Sequence, residues 1–209
     1  SRERANNLNG VSATIHADDF LKWFLCQLLS PPEFDAVLGN PPFVRYQYLD
    51  AVQQSLAEAI FRAYGLSFTK HTNAWVPFII ASLAMLRPGG RLAMVVPAEL
   101  LHVLHAKPLR HFILDKCSKV LVIDPEHIWF NDTLQGVVLL LAEKRGPSDR
   151  SVAKMAIQAV PDRQQLTRPA AEHFDRADFF SSSVLNGKWM VGLLSERERS
   201  LLTRLEQTQ

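Results

Sequence analysis

The stretch Phe34-Asp35-Ala36-Val37-Leu38-Gly39-Asn40-Pro41-Pro42-Phe43 constrains the fold more than any other. Val37 and Leu38 read as a buried strand, and Gly39 with the two prolines marks its abrupt end. A proline lacks an N–H and holds φ near about −65°, and the residue before a proline is kept extended. Asn40 is therefore predicted in a stiff, non-helical turn at the carboxyl end of a strand, where open α/β sheets place their ligands. The Asn40 side chain offers a carbonyl acceptor, the Pro41 main chain offers a second, and Phe43 adds a flat apolar face. Two acceptors beside an aromatic plate suit a flat ring that carries an amino group. The plainer alternative is a turn that caps a strand, with Phe43 in the core.

The order apolar strand, Gly39, Asn40-Pro41-Pro42-Phe43 resembles the catalytic box of the S-adenosylmethionine-dependent amino-methyltransferases, Asn/Asp/Ser-Pro-Pro-Tyr/Phe/Trp. The resemblance implies an α/β, Rossmann-like methyltransferase fold: a mostly parallel sheet with an antiparallel C-terminal edge hairpin. It implies Asn40, Pro41, Pro42 and Phe43 as catalytic residues. The Asn40 side chain and the Pro41 carbonyl would accept from the target amine, and Phe43 would stack on the target base. One strand earlier, Asp19-Phe20 matches the family's Asp-Phe pair, which with Pro42 implies contact with the cofactor. The Asp19 carboxylate would accept from the adenine amino group, and Phe20 would flank the ring. Asp18 competes for that role, and helix capping competes for both. In gamma-class members an aromatic residue before the last strand covers the other face of the extruded base. Phe130 matches that position, with Trp129 as its neighbour.

Periodicity supplies the rest of the frame. Val11 to Ile15 alternates like a strand, and the spacing of Phe20, Trp23, Phe24 and Leu28 predicts a helix that Asp18 is placed to cap and Pro31-Pro32 to stop. Leu49, Val52, Leu56, Ile60 and Ala63 repeat at helical spacing, with Gly65 as a C-cap. Asn-Pro-Pro-Phe-Val44-Arg45 before such a long helical insert resembles the DNA adenine methyltransferases of type IIG restriction–modification systems. Arg45 is either a phosphate contact or a solvated charge. Trp75 to Leu86 predicts an apolar helix, Arg87-Pro88-Gly89-Gly90-Arg91 a turn, and Leu92 to Val96 a buried strand ended by Pro97. A helix over Leu100 to Cys117, broken or restarted at Pro108, precedes strands at Val120 to Ile123 and Gln135 to Ala142. These last two would form the antiparallel hairpin.

Residues 1–145 are expected to be the C-terminal portion of the catalytic domain. Residues 146–209 are expected to add a strand near Val152 to Val160, an irregular segment and a helix opened by the capping box Ser195-x-x-Glu198, leading toward a recognition region. Arg163, Arg168 and Arg176 interleave with Phe174, Phe179 and Phe180, a mixture that faces nucleic acid in some proteins and is plain irregular surface in more. The family's Gly-rich turn for the methionine part of the cofactor does not occur among the residues before Asp19. The N-terminal part of the domain is thus expected to lie outside a chain that starts at Ser1, and this piece alone is expected to bind cofactor poorly.

Composition sets outer bounds. Two cysteines make no disulfide framework, and a net charge of +2 is too small to establish a nucleic-acid partner. The longest apolar run, Trp75 to Leu86, is short of the about 20 residues that span a bilayer. No membrane role and a cytoplasmic location are expected. His102 and His105 have no partnering Cys or carboxylate at ligand spacing, so no metal is expected. The expected function is methyl transfer from S-adenosylmethionine to the N6 amine of a flipped adenine in double-stranded DNA, within a restriction–modification enzyme. The alternatives are amino-methylation of a protein glutamine or a ribosomal RNA base, and a catalytically silent nucleic-acid-binding fragment.

Overall fold

The computed structural model describes residues 12–31, 33–69, 72–125, 136–161, 166–167, 169–185 and 187–207. Six strands form one sheet in the order β1-β2-β4-β3-β5-β6. They are β1 (Phe34–Gly39), β2 (Leu86–Pro97), β3 (Cys117–Pro125), β4 (Val137–Lys144), β5 (Lys154–Val160) and β6 (Phe180–Ser181). β1 and β2 are parallel, as are β3 and β5, while β4 runs antiparallel to both β2 and β3. Four strands therefore point one way. The antiparallel hairpin of β3 and β4 is present, with β4 inserted between β2 and β3, and β5 and β6 carry the sheet beyond it.

The helices follow from the residues. In α1 (Phe20–Cys26) Leu21 and Phe24 are buried, and the N-cap is Asp19, whose Oδ1 accepts from the Lys22 amide at 3.0 Å. Capping thus falls one residue later than predicted, because Asp18 instead accepts from the Asp19 amide at 2.8 Å. The helix α2 (Ala51–Ala63) starts at Asp50, which accepts from the Gln53 amide at 2.8 Å. It ends before Gly65, whose φ of +65° suits glycine. The helix α3 (Trp75–Ala84) is apolar almost all round and accordingly buried, with Pro77 in its first turn where no helical N–H is lost. Two 3-10 turns, Ala98–Leu101 and Leu104–Ala106, lead into α4 (Lys107–Lys116), with Pro108 in its first turn. Short α5 (Ala170–Arg176) and α6 (Glu196–Gln207) follow. The predicted capping box opens α6: the Ser195 amide donates to Glu198 Oε2 at 2.8 Å, and the Glu198 amide to Ser195 Oγ at 3.4 Å.

Helices α1 to α4 cover one face of the sheet. The main core lies there, with Phe24, Ile60, Trp75, Ile79, Leu83 and Ile113 packed on Leu92, Val96, Val120, Val122, Val138 and Leu140. A smaller core on the other face joins Leu121, Ile123, Ala156 and Val160 to Phe174 and Phe179. The predicted strand over Val11 to Ile15 does not form in its described part. Ser12 to Ile15 is exposed and without strand structure, since a strand exists only beside a partner and no described strand flanks the outer edge of β1.

Candidate active site

β1 carries the chain to the site and β2 sets its height. Gly39 stands opposite Met94 in the parallel register. A Cβ on Gly39 would lie 2.7 Å from Met94 Sδ, so glycine lets the thioether fill the strand end. The chain then turns out of the sheet through the diproline. Asn40 is exposed, Pro41 buried, Pro42 exposed, and Phe43 partly buried against the main core. The next residues are clamped. The Ala74 amide donates to the Val44 carbonyl at 2.8 Å, and Arg45 and Asn73 form an antiparallel bridge. Asn73 Nδ2 donates to Glu99 Oε2 at 2.9 Å, tying the start of α3 to the turn after β2. The Arg45 side chain is exposed.

A cavity of about 220 Å³ opens beside this corner, lined by Asn40, Pro41 and Pro42, by Val37, Leu38 and Gly39 of β1, by Met94, and by Phe20, Phe78 and Ser82. Phe20 and Phe78 stack with ring centroids 5.3 Å apart and planes inclined by 16°. Ser82 is fully buried, and its Oγ has no hydrogen-bond partner. Such a hydroxyl costs about 1–3 kcal/mol when left unpaired.

Of the residues singled out in the sequence, the fold gathers Phe20, Asn40, Pro41 and Pro42 around this cavity. Asp19 caps α1 and does not line the cavity. Phe43 lies next in chain but turns toward the core and does not line it. Phe130 and Trp129 lie outside the described residues, as do Arg163 and Arg168. Sequence reasoning missed Phe78, Ser82 and Met94. Ser82 carried a signal, since it is the lone polar residue of Trp-Val-Pro-Phe-Ile-Ile-Ala-Ser-Leu-Ala.

A larger cavity of about 570 Å³ near Lys116, Lys144 and Arg145 is at the opposite end of the sheet. Its cations are engaged structurally. Arg145 donates to the carbonyls of Asp115, Leu114 and Cys117 at 3.1, 3.3 and 2.8 Å, and Lys144 to that of Ala84 at 3.1 Å. Among the described residues no group of three or more His, Cys, Asp or Glu is gathered to hold a metal, and no helix is long and apolar enough to cross a membrane.

Residues 2–129 match the model of the Eco57I restriction-modification methylase family. The chain belongs to this family. Among its curated relatives it is 31% identical over 126 residues to the type II methyltransferase M.PaeR7I of Pseudomonas aeruginosa, a match that spans 58% of this chain and 21% of that one. It is 28% identical over 112 residues to M.HincII of Haemophilus influenzae, covering 52% of this chain and 22% of the relative. The chain thus spans about a fifth of the length of these relatives. Among solved structures, the DrdV–DNA complex superposes with a TM-score of 0.55 at 15% identity, over 83% of this chain and 19% of that one. The methyltransferase subunit of a type I restriction–modification system from Streptococcus thermophilus gives 0.53 at 18% identity, over 75% and 36%. These two likenesses establish the methyltransferase fold.

For an Eco57I-family chain the methyl donor is S-adenosylmethionine. The residues present fit one end of it. Phe20 and Phe78 form a flat apolar wall, and the unpaired Ser82 hydroxyl belongs to a residue that shares the cavity lining with them and with Asn40. That combination suits a purine ring with polar edge atoms.

Proposed function

We propose that this chain is the target-amine half of a restriction–modification methylase that acts on the N6 amine of an adenine flipped out of double-stranded DNA, in the cytoplasm. The observation that carries the proposal is the exposed Asn40 at the carboxyl end of β1, beside a cavity with an aromatic wall. The bound donor supplies a methyl group on a sulfonium. The chain's own residues do the rest. An exocyclic adenine amine is a weak nucleophile, because its lone pair is drawn into the ring. Asn40 and the Pro41 carbonyl accept from its two N–H bonds and draw the nitrogen toward a tetrahedral form. Positive charge grows on nitrogen in the transition state, so both acceptors act most strongly there. The diproline holds them at fixed angles, so little reorganisation is needed at the moment of reaction.

Flipping the base costs about a few kcal/mol. Stacking on an aromatic residue such as Phe130, worth roughly 1–3 kcal/mol per base, would offset part of it. Asp19 uses one carboxylate oxygen to cap α1, and its second oxygen is available to accept from the donor's amino group. In this reading residues 1–145 belong to the catalytic domain of a longer enzyme and residues 146–209 lead toward its recognition region.

The test is methyl transfer by the full-length enzyme that carries this chain, offered duplex DNA, RNA and protein. Radiolabel should enter adenine of duplex DNA. Asn40→Ala should lower kcat by at least about 100-fold, as loss of one preorganised hydrogen-bonding group does elsewhere, with an unchanged melting temperature. Transfer to RNA or protein would replace the substrate, and full activity of the variant would remove Asn40 from the mechanism.

A further inference from the structure

Methyl transfer by Asn40 and Pro41 leaves the buried hydroxyl of Ser82 unused. A serine inside a helix ordinarily bonds back to the carbonyl four residues earlier, here that of Phe78. Ser82 makes no such bond, nor any other, although it is fully buried. Trp75 Nε1 and His173 Nε2 are also buried and unpaired, but neither residue lines the cavity at the end of β1. Ser82 does, along with Asn40, Phe20 and Phe78. It is one helical turn beyond Phe78 on the same face of α3, so a ring lying against Phe78 would present its edge to the hydroxyl. The neighbouring side chains of Val37, Met94 and Phe20 are apolar, so Ser82 is the polar group beside Phe78.

We propose that Ser82 is a positioning residue that donates a hydrogen bond to a ring nitrogen on the edge of the cofactor's purine. This rests on the reading of the cavity as the methyl-donor site. A purine nitrogen accepts, a hydroxyl donates, and burial excludes the water that would otherwise compete. The fold keeps the hydroxyl unpaired so that the purine can pair it on arrival. This arrangement trades stability of the unliganded chain for affinity.

Two readouts separate the proposal from a structural role. For the unliganded protein, Ser82→Ala removes a hydroxyl that has no partner, so its melting temperature should stay level or rise. A serine serving the fold would give a fall instead. For the full-length enzyme, calorimetric titration with S-adenosylmethionine should show Ser82→Ala weakening binding by about 3- to 10-fold, the range of one neutral hydrogen bond. Analogues in which one purine ring nitrogen is replaced by C–H provide the decisive arm. The analogue lacking the bonded nitrogen should bind wild type and variant equally, while the others retain the difference. Equal S-adenosylmethionine affinity in wild type and Ser82→Ala would overturn the role of Ser82 and leave the site reading intact. Absence of S-adenosylmethionine binding by the wild-type enzyme would overturn both.

Discussion

Tyr46 follows Phe43 by one short stretch of chain and anchors the box to α2. Its hydroxyl donates to Glu58 Oε1 at 2.5 Å. That hydrogen bond, then burial, then the charge of Glu58 hold the phenol's pKa up at about 12, against 10.0 for a free tyrosine. The folded chain therefore keeps this proton more tightly than the unfolded chain does. Its contribution is complete below pH 10 and is lost as pH rises from 10 toward about 12. Tyr46→Phe should flatten that alkaline loss, measured as a smaller shift of the urea midpoint across this window; an unchanged slope would contradict the linkage. The two cysteines make a second contrast. Cys26 is exposed and Cys117 buried, and burial pushes the Cys117 thiol up to about 12 despite Arg145 and Lys144 nearby. At about pH 8 a thiol-reactive dye should label Cys26 in the native protein and Cys117 only after unfolding. Equal rates for both would mean that the main core opens readily.

The junction of β1 and β2 is where a single element decides the site. The register jumps between Phe34↔Leu86 and Ala36↔Arg91, so the residues between Leu86 and Arg91 bulge out opposite Asp35. Gly89 turns the bulge with a φ of +75°. A Cβ on Gly90 would lie 2.9 Å from the main-chain oxygens of Arg87 and Phe34. Gly90→Ala must therefore shift backbone, at a cost of about 1–3 kcal/mol, visible as a lower melting temperature. Gly39→Ala meets only the flexible end of Met94. Stability should hold there while the displaced thioether narrows the cavity, so cofactor affinity falls without unfolding. Equal destabilisation by both would mean that Met94 has no room to yield.

At this same scale the sequence was legible where its signals were local. The Val37-Leu38 run, the diproline and the apolar helix from Trp75 are local signals, and strand, corner and helix follow from them. Yet β1 is an exposed edge strand and not a buried one, with Leu38 open to solvent, and the expected Gly-Gly turn is a bulge inside the long strand β2. Asp18 and Asp19 are adjacent carboxylates with the same capping chemistry, and only backbone geometry chose Asp19. The alternation at Val11 to Ile15 lacked a partner strand, which no local pattern can supply. The stacking of Phe20 on Phe78 and the burial of Ser82 arise from packing α1 against α3. In the sequence Phe78 and Ser82 read simply as helix core, while Phe20 carried the cofactor role that the resemblance implied.

Over the whole molecule, the sheet separates two kinds of chemistry. Its Asn40 end holds an unpaired hydroxyl and a small aromatic cavity, while the opposite end ties its cations to carbonyls. The C-terminal segment belongs to the same body, since β5 pairs with β3 along its length. Arg110, almost fully buried, joins distant parts: Nη1 donates to Leu100 and Val103 carbonyls at 2.9 Å each, and Nε to the Gly187 carbonyl at 2.8 Å. Arg110→Lys, with one nitrogen for three acceptors, should cost about 1.5–3 kcal/mol per charged hydrogen bond lost. A chemical-denaturation midpoint that did not move would dismiss the brace.

That guanidinium also bears on how the chain can be cut. The family match stops at residue 129, and a fragment trimmed to it would lose both the inserted strand β4 and the carbonyl that Arg110 reaches at Gly187. Kinship and foldability therefore have different borders here. Anyone shortening this polypeptide for crystallisation or display should keep the stretch through Gly187, however little it resembles its cousins.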